Sequence, residues 1–410
     1  MSKTENLIVN NLVYSVPPSS TACIERSYKR GYFDNRSYTK ERTMRCVIQT
    51  GAQYVNTLTS SLVIKMRDMS TESGQEWGYG SAYNLIKNIR VFSKSGVELC
   101  NVLNANLNRV VEDKMTENQE WFNSVGGLMG YEVSSGGYQK PIGAKGSVSE
   151  WHIPMSKIAP VFCPLGEQLC PPALISGCII EIDLESPVVA FRATDVTSVP
   201  DYKIEDIYFN LDCSTLNDMT IMTMNDITAK QLLEWTYVDI YNSKVVQGTD
   251  VQDLNTSINK SVSFADHITA LIQNQSRTTS TTQDCFQLLD TEQNGSYQFT
   301  LGSVQLPSNV KVQSQEEEYF QLLSTYNKLR SQSKGAGRIR YPDFQNFLSV
   351  KSTSFSKDQM LSLSQLPISS SRSLRFEATL VAQQEPRVCN IYLHYLKVVE
   401  VSLTDAKVNY

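Results

Sequence analysis

One order of secondary structure recurs in this chain. A strand–turn–helix unit near residue 85 has a counterpart near residue 297, and a strand pair at residues 178–212 has a counterpart at residues 374–403. Apolar residues at period two mark the strands, and a switch to helical spacing marks the helices. The offsets are about 213 and about 190 residues, so the plan is duplicated without a literal sequence repeat. Two β-sandwiches of roughly 200 residues each account for the 410 residues.

The local patterns fill in that plan. Leu58, Ser60, Leu62, Ile64 and Met66 share one face, and Thr59, Ser61, Lys65 and Arg67 share the other, broken only by Val63. This predicts an antiparallel strand with one solvated side. Residues 85–92 read as a strand, with a turn at Ser95-Gly96. Residues 98–112 predict a helix with a stripe of Leu99, Leu103, Leu107 and Val110, widened by Val102 and Val111. Strands follow at 179–184 and 202–211, and the first domain boundary falls near Leu216-Asn217-Asp218. The second half opens on a polar stretch, with strands at 235–241, 297–301, 374–381 and 388–403. Ser314 followed three residues later by Glu317 is a helix-capping signal. Tyr319, Phe320, Leu322, Leu323, Tyr326 and Leu329 form the stripe of that helix. The division is an N-terminal arm at 1–25, a first sandwich at 26–216, a second at 217–403 and a tail at 404–410.

Three loops stand out. Residues 124–149 hold seven glycines and read as a surface excursion. Residues 274–296 are a polar excursion, and 331–341 a basic one. The segment 26–45 carries Arg26, Lys29, Arg30, Arg36, Lys40, Arg42 and Arg45, interleaved with tyrosines. It reads either as a solvated strand and loop or as an inner surface near nucleic acid or anionic lipid.

Composition excludes several classes. A net charge of −5 is not that of a polycation coating nucleic acid. No run of about 18 apolar residues is present to span a bilayer. The start lacks a basic region followed by an apolar one, so the chain is expected to remain inside the cell. The nine cysteines (Cys23, Cys46, Cys100, Cys163, Cys170, Cys178, Cys213, Cys285 and Cys389) include no C-x-x-C and read as reduced thiols. Cys163 and Cys170 flank a Pro-rich turn and would be the pair to join on oxidation. The sequons at Asn255, Asn259, Asn274 and Asn294 read as a by-product of polar loops.

No set of residues fit for catalysis emerges, and no catalytic, cofactor-binding or metal residue is assigned. His152, His267 and His394 stand in no H-x-H or H-E-x-x-H context, and His394 reads as a satisfied strand histidine. No G-x-S-x-G or phosphate-cradling motif occurs. Glu205-Asp206, Asp183 and Glu185 read as solvated sheet faces, Ile368-Ser369-Ser370-Ser371 as a loop, and Glu316-Glu317-Glu318 as favourable charge at a helix start.

Three stretches carry a resemblance: His152-Ile153-Pro154-Met155 through Phe162, Leu169-Cys170-Pro171-Pro172 through Gly177, and Ile179–Leu184. Together they resemble the end of the first jelly roll in double jelly-roll major capsid proteins, most like those of Polinton-like viruses, virophages and related small eukaryotic DNA viruses. Tyr297-Gln298-Phe299-Thr300-Leu301-Gly302-Ser303, with Leu306-Pro307 and the Glu318-Tyr319 helix, resembles the matching part of the second. The span from Tyr202 to Asp218 resembles the crossing between domains. The resemblance implies an all-β fold of two tandem eight-stranded jelly rolls with short helices in inter-strand loops. It implies a homotrimeric, pseudo-hexameric capsomer in an icosahedral shell, synthesised inside the host cell, with neighbouring capsomers and with vertex and minor capsid proteins as partners. Weak contact of the inner face with a genome or internal membrane belongs to the same expectation, and no cofactor or small-molecule substrate does. The alternative is a jelly-roll attachment, vertex or carbohydrate-binding protein of a virus.

Overall fold

The structure is a computed structural model that describes residues 22–72, 74–78, 80–131, 142, 144–166, 168–193, 195–230, 232–286, 295–307, 310–326, 341, 344–345, 350–355, 366–369, 373–380, 385–402 and 406–409. Sixteen strands form its frame. The first eight are β1 (Cys23–Tyr32), β2 (Thr43–Val47), β3 (Tyr54–Asp68), β4 (Ile86–Phe92), β5 (Glu98–Val102), β6 (Val148–Pro154), β7 (Ile179–Leu184) and β8 (Tyr202–Leu216). They form the sheets β1-β8-β3-β6 and β2-β7-β4-β5. The second eight are β9 (Leu233–Gln247), β10 (Asp253–Ile258), β11 (Val262–Asn274), β12 (Ser296–Leu301), β13 (Val304–Leu306), β14 (Val350–Ser354), β15 (Leu374–Thr379) and β16 (Arg387–Val401). Their sheets are β9-β16-β11-β14 and β10-β15-β12-β13. Adding eight to each strand number of the first pair of sheets generates the second. This is the jelly-roll order, laid down twice.

Three helices complete the plan: α1 (Ala105–Thr116) after β5, α2 (Asp218–Lys230) between the sandwiches, and α3 (Gln315–Thr325) after β13. Ser314 caps α3 as expected, its hydroxyl accepting from the Glu317 amide at 3.2 Å. Leu322 is fully buried; Tyr319, Leu323 and Tyr326 pack partly buried against the core, whereas Phe320 turns out to solvent. Leu329 lies outside the described residues.

Several expectations are corrected. Residues 98–102 are strand β5, paired with β4 through Ile89↔Val102 and Val91↔Cys100. Asn104, at φ 47°, turns the chain into α1. The helical spacing of Leu99, Leu103 and Leu107 therefore runs across a strand, a turn and a helix. Leu58 does not share the buried face. The β8–β3 register jumps from Asn210↔Ser61 to Asp212↔Asn56, and within this bulge Leu58 and Thr59 are exposed while Thr57 and Ser60 are buried. The polar stretch after Asn217 is helix α2, whose start Asn217 caps by accepting from Thr220 N at 2.7 Å. Ile368 closes a short strand, Leu366–Ile368, paired with β11; Ser370 and Ser371 lie outside the described residues.

At the start, Cys23, Ile24 and Glu25 belong to β1, and residues 1–21 lie outside the described residues. At the end, Ala406–Asn409 is a strand paired on β16, and Leu403 and residues 404–405 and 410 lie outside. Two of the loops are anchored. In the glycine-rich one, Met129, Tyr131 and Ile142 are buried in the core of the first sandwich, so it is not a pure surface excursion. In the 274–296 loop, Cys285 and Phe286 are buried in that same core. Of 331–341, only Tyr341 is described. Residues 132–141, 143 and 287–294 lie outside.

Gly130 shows how tightly the first anchor is built. Its φ is +98°, and a Cβ there would lie 2.8 Å from Trp77 Nε1. Gly130→Ala is expected to destabilise the fold by about 1–3 kcal/mol, read as a lower midpoint in chemical denaturation.

Candidate assembly interface

The second sandwich lays its β9-β16-β11 sheet on β5 and α1 of the first. Trp235 and Tyr237 of β9 are buried there with Leu99 and Cys100 of β5. The Tyr237 hydroxyl and the Lys397 ammonium both donate to the Leu99 carbonyl. Trp235 Nε1 donates to the Val161 carbonyl at 2.8 Å. The Asn104 amide donates to the Asn390 side chain at 3.1 Å, and the Tyr392 hydroxyl to the Asn104 carbonyl at 2.7 Å. Behind this layer, Asp239 accepts from Lys397 at 3.0 Å and from the Tyr395 hydroxyl at 2.8 Å, with all three side chains buried. Buried charges persist only when paired and hydrogen-bonded, and this set is both.

The first sandwich holds α1 in place by a second ionic cluster. Asp113, without solvent access, accepts from Lys157 at 3.0 Å and from the Tyr131 hydroxyl at 3.1 Å. Arg109 pairs with Glu112 at 2.9 Å. Burial and the Asp113 charge push the Tyr131 hydroxyl well above its ordinary range, so it stays protonated as the donor.

Because the plan is duplicated, each half of this seam has a counterpart elsewhere on the chain, and both counterparts are bare. The equivalent of β9 is β1, where eight of ten residues are exposed. Tyr28 is 62% exposed and Tyr32 43%. Arg30 stacks over Tyr208 at 4.5 Å, and Arg36 over Tyr32 at 5.2 Å. The equivalent of β5 is β13, and while Leu99, Cys100 and Val102 are buried, Val304 and Gln305 are exposed. After β13 in the chain, α3, which packs on β14, presents Phe320, 54% exposed, together with Glu316 and Glu317. One bare surface is basic and aromatic, and the other is apolar and acidic.

The remaining sequence candidates fall outside such an arrangement. Of the basic segment, Arg26 is paired with Asp212, Lys40 with Asp201 at 3.3 Å and Arg45 with Glu181 at 3.9 Å. Lys29, Arg30 and Arg36 of the same segment carry no such ion pair among the described residues, and Arg30 and Arg36 lie over tyrosine rings. The nine cysteines are unpaired, Cys163 and Cys170 included. Burial pushes Cys46 and Cys389 up to about 12, so they are thiols at neutral pH. Asn255 and Asn259 are exposed and Asn274 half-buried, while Asn294 lies outside the described residues. His152 is half-buried, 3.0 Å from Glu150. His267 and His394, distant in sequence, meet as cross-strand neighbours at the seam. Around these residues both strands are buried on both faces, so no alternation marked the pair in the sequence. Among the described residues, no group of three or more His, Cys, Asp or Glu is placed to hold a metal ion.

The double jelly roll is shared with viral coat proteins of known structure. The Faustovirus major capsid protein is similar over 98% of this chain and 94% of its own, at a TM-score of 0.66 and 9% identity. The mavirus major capsid protein covers 96% and 92%, at 0.59 and 10%. A chain of the Sputnik virophage structure covers 96% and 90%, at 0.57 and 12%. At such identities the likeness is one of fold. No family model matches the sequence, and no curated protein does.

Proposed function

We propose that this chain is a viral major capsid protein. It closes head to tail into a trimer of six sandwiches, the building unit of an icosahedral shell. The observation that carries this reading is the pair of bare counterparts to the intrachain seam. A surface used once within the chain, and left uncovered at the equivalent place in each sandwich, is what a heterologous contact between copies would cover. In that contact β1 of one copy lies against β13 and α3 of the next, with Arg30 and Lys29 facing Glu316 and Glu317. Tyr28, Tyr32, Val304 and Phe320 supply the apolar and aromatic centre.

The contact also protects β1, an edge strand with one open side. The chain divides, in this reading, into sandwiches at 26–216 and 217–403. Its partners are copies of itself, neighbouring capsomers and the vertex and minor proteins of the shell. Its place is the virion, after synthesis within the host cell, and the reading assigns it no reaction. Negative-stain imaging of purified protein tests the proposal. Compact particles with three-fold symmetry and a six-lobed outline are expected; isolated two-lobed particles at every concentration would contradict it.

A further inference from the structure

His267 on β11 and His394 on β16 sit opposite each other in register. Their rings stack with centroids 3.9 Å apart and planes 12° apart. His267 Nδ1 lies 2.8 Å from Asp266, and His394 Nδ1 lies 3.3 Å from Glu112 of α1. Tyr326, at the end of α3, meets the His267 ring edge-on at 5.0 Å. Among the described residues, Nε2 of each ring is buried without a hydrogen-bond partner. The stack is therefore enclosed by α1 of the first sandwich and by β11, β16 and the end of α3 of the second.

Among the described residues, the groups facing the stack are few. Arg109 and Glu112 approach from α1, Asp266 from β11 and Tyr326 from α3. The flanking strands place the uncharged Ile240 opposite His394 and Ser354 opposite His267. Glu112, the carboxylate nearest His394, is already paired with Arg109 at 2.9 Å. A proton arriving on His394, whose side chain is 2% exposed, thus meets a committed anion, a cation and a second imidazole in face contact.

We propose that the His267–His394 stack is an acid-sensitive latch on the seam between the two sandwiches. With His394 neutral, the rings pack and hold α1 against β11 and β16; with His394 protonated, they part. Burial, then His267 and Arg109, hold His394 well below the ordinary imidazole range. Once the seam opens, the ring regains an ordinary value of about 6.5. The closed seam's advantage is therefore complete above that pH. It is lost as pH falls below about 6.5 towards the lower closed-state value, by up to about tenfold per pH unit for one proton. The latch itself does not depend on the capsid reading, which supplies only its consequence: a shell that loosens between sandwiches in an acidic compartment.

Hydrogen exchange of the α1 and β16 amides, corrected for intrinsic rate, tests it on the full chain between pH 7.5 and 5.0. The opening constant should rise up to about tenfold per unit below pH 6.5 in the native protein and stay flat in His394→Phe, which keeps the ring stack. Equal slopes in both would overturn the proposal. Should His394→Phe not fold, the imidazole resonances of the native protein decide: His394 must remain neutral at pH 5.5, and ordinary titration near pH 6.5 would overturn the latch. The mass at pH 7.5 judges the trimer separately.

Discussion

Asp239→Ala is expected to cost about 3–5 kcal/mol of folding stability. The carboxylate is buried behind the seam, where it is the anion for Lys397 and the acceptor for the Tyr395 hydroxyl. Alanine removes the carboxylate that pairs with the Lys397 ammonium, whose side chain is 7% exposed. The Leu99 carbonyl remains as an acceptor but carries no net charge. Lys397→Met in the same background should return much of the loss, because an apolar side chain of similar length needs neither ion nor water. Denaturant unfolding of the single and double variants at matched concentration checks both statements. A double variant no more stable than Asp239→Ala would show that shape, not charge, governs the site.

Tyr28→Asp and Phe320→Asp should each dissolve the trimer and leave the chain folded. Both side chains stand largely free on the single chain, so neither substitution opens its core. In the proposed ring each lies at the centre of a contact made three times. Loss of an aromatic anchor costs at least about 2 kcal/mol per contact, or about 6 kcal/mol for the closed ring. At 1.4 kcal/mol per tenfold, that is about four orders of magnitude in assembly. The readout is the solution mass, with far-ultraviolet circular dichroism as the check on folding. A trimer that persists in both variants would place the contact elsewhere.

Much of the frame was legible in the sequence because it is written in local periods. Ile179–Leu184 coincides with β7, since Ile180, Ile182 and Leu184 point inward at period two. Residues 297–301 fall within β12, and the Ser314–Glu317 spacing marked the start of α3. Where local signals conflict, tertiary pairing prevailed. Leu99 and Val102 fit a helical stripe, yet their pairing with β4 and burial under β9 make them strand. Helix α2 was missed because its apolar residues do not sort to one side: Met219 and Met222 are exposed, while Ile221, Met224 and Ile227 are half-buried. The Asn217 cap was its one local sign. The seam left no trace of this kind. Asp239 with Lys397, and His267 with His394, are joined only when β9, β16 and β11 lie side by side. Likewise, the bareness of β1 and β13 is visible only beside the burial of β9 and β5.

The most direct test of head-to-tail closure is the mass of the purified protein by light scattering after size exclusion at neutral pH. One chain weighs 46.1 kDa, and the account predicts a stable species at three times that, about 138 kDa. A species that remains at 46.1 kDa at every concentration would contradict it.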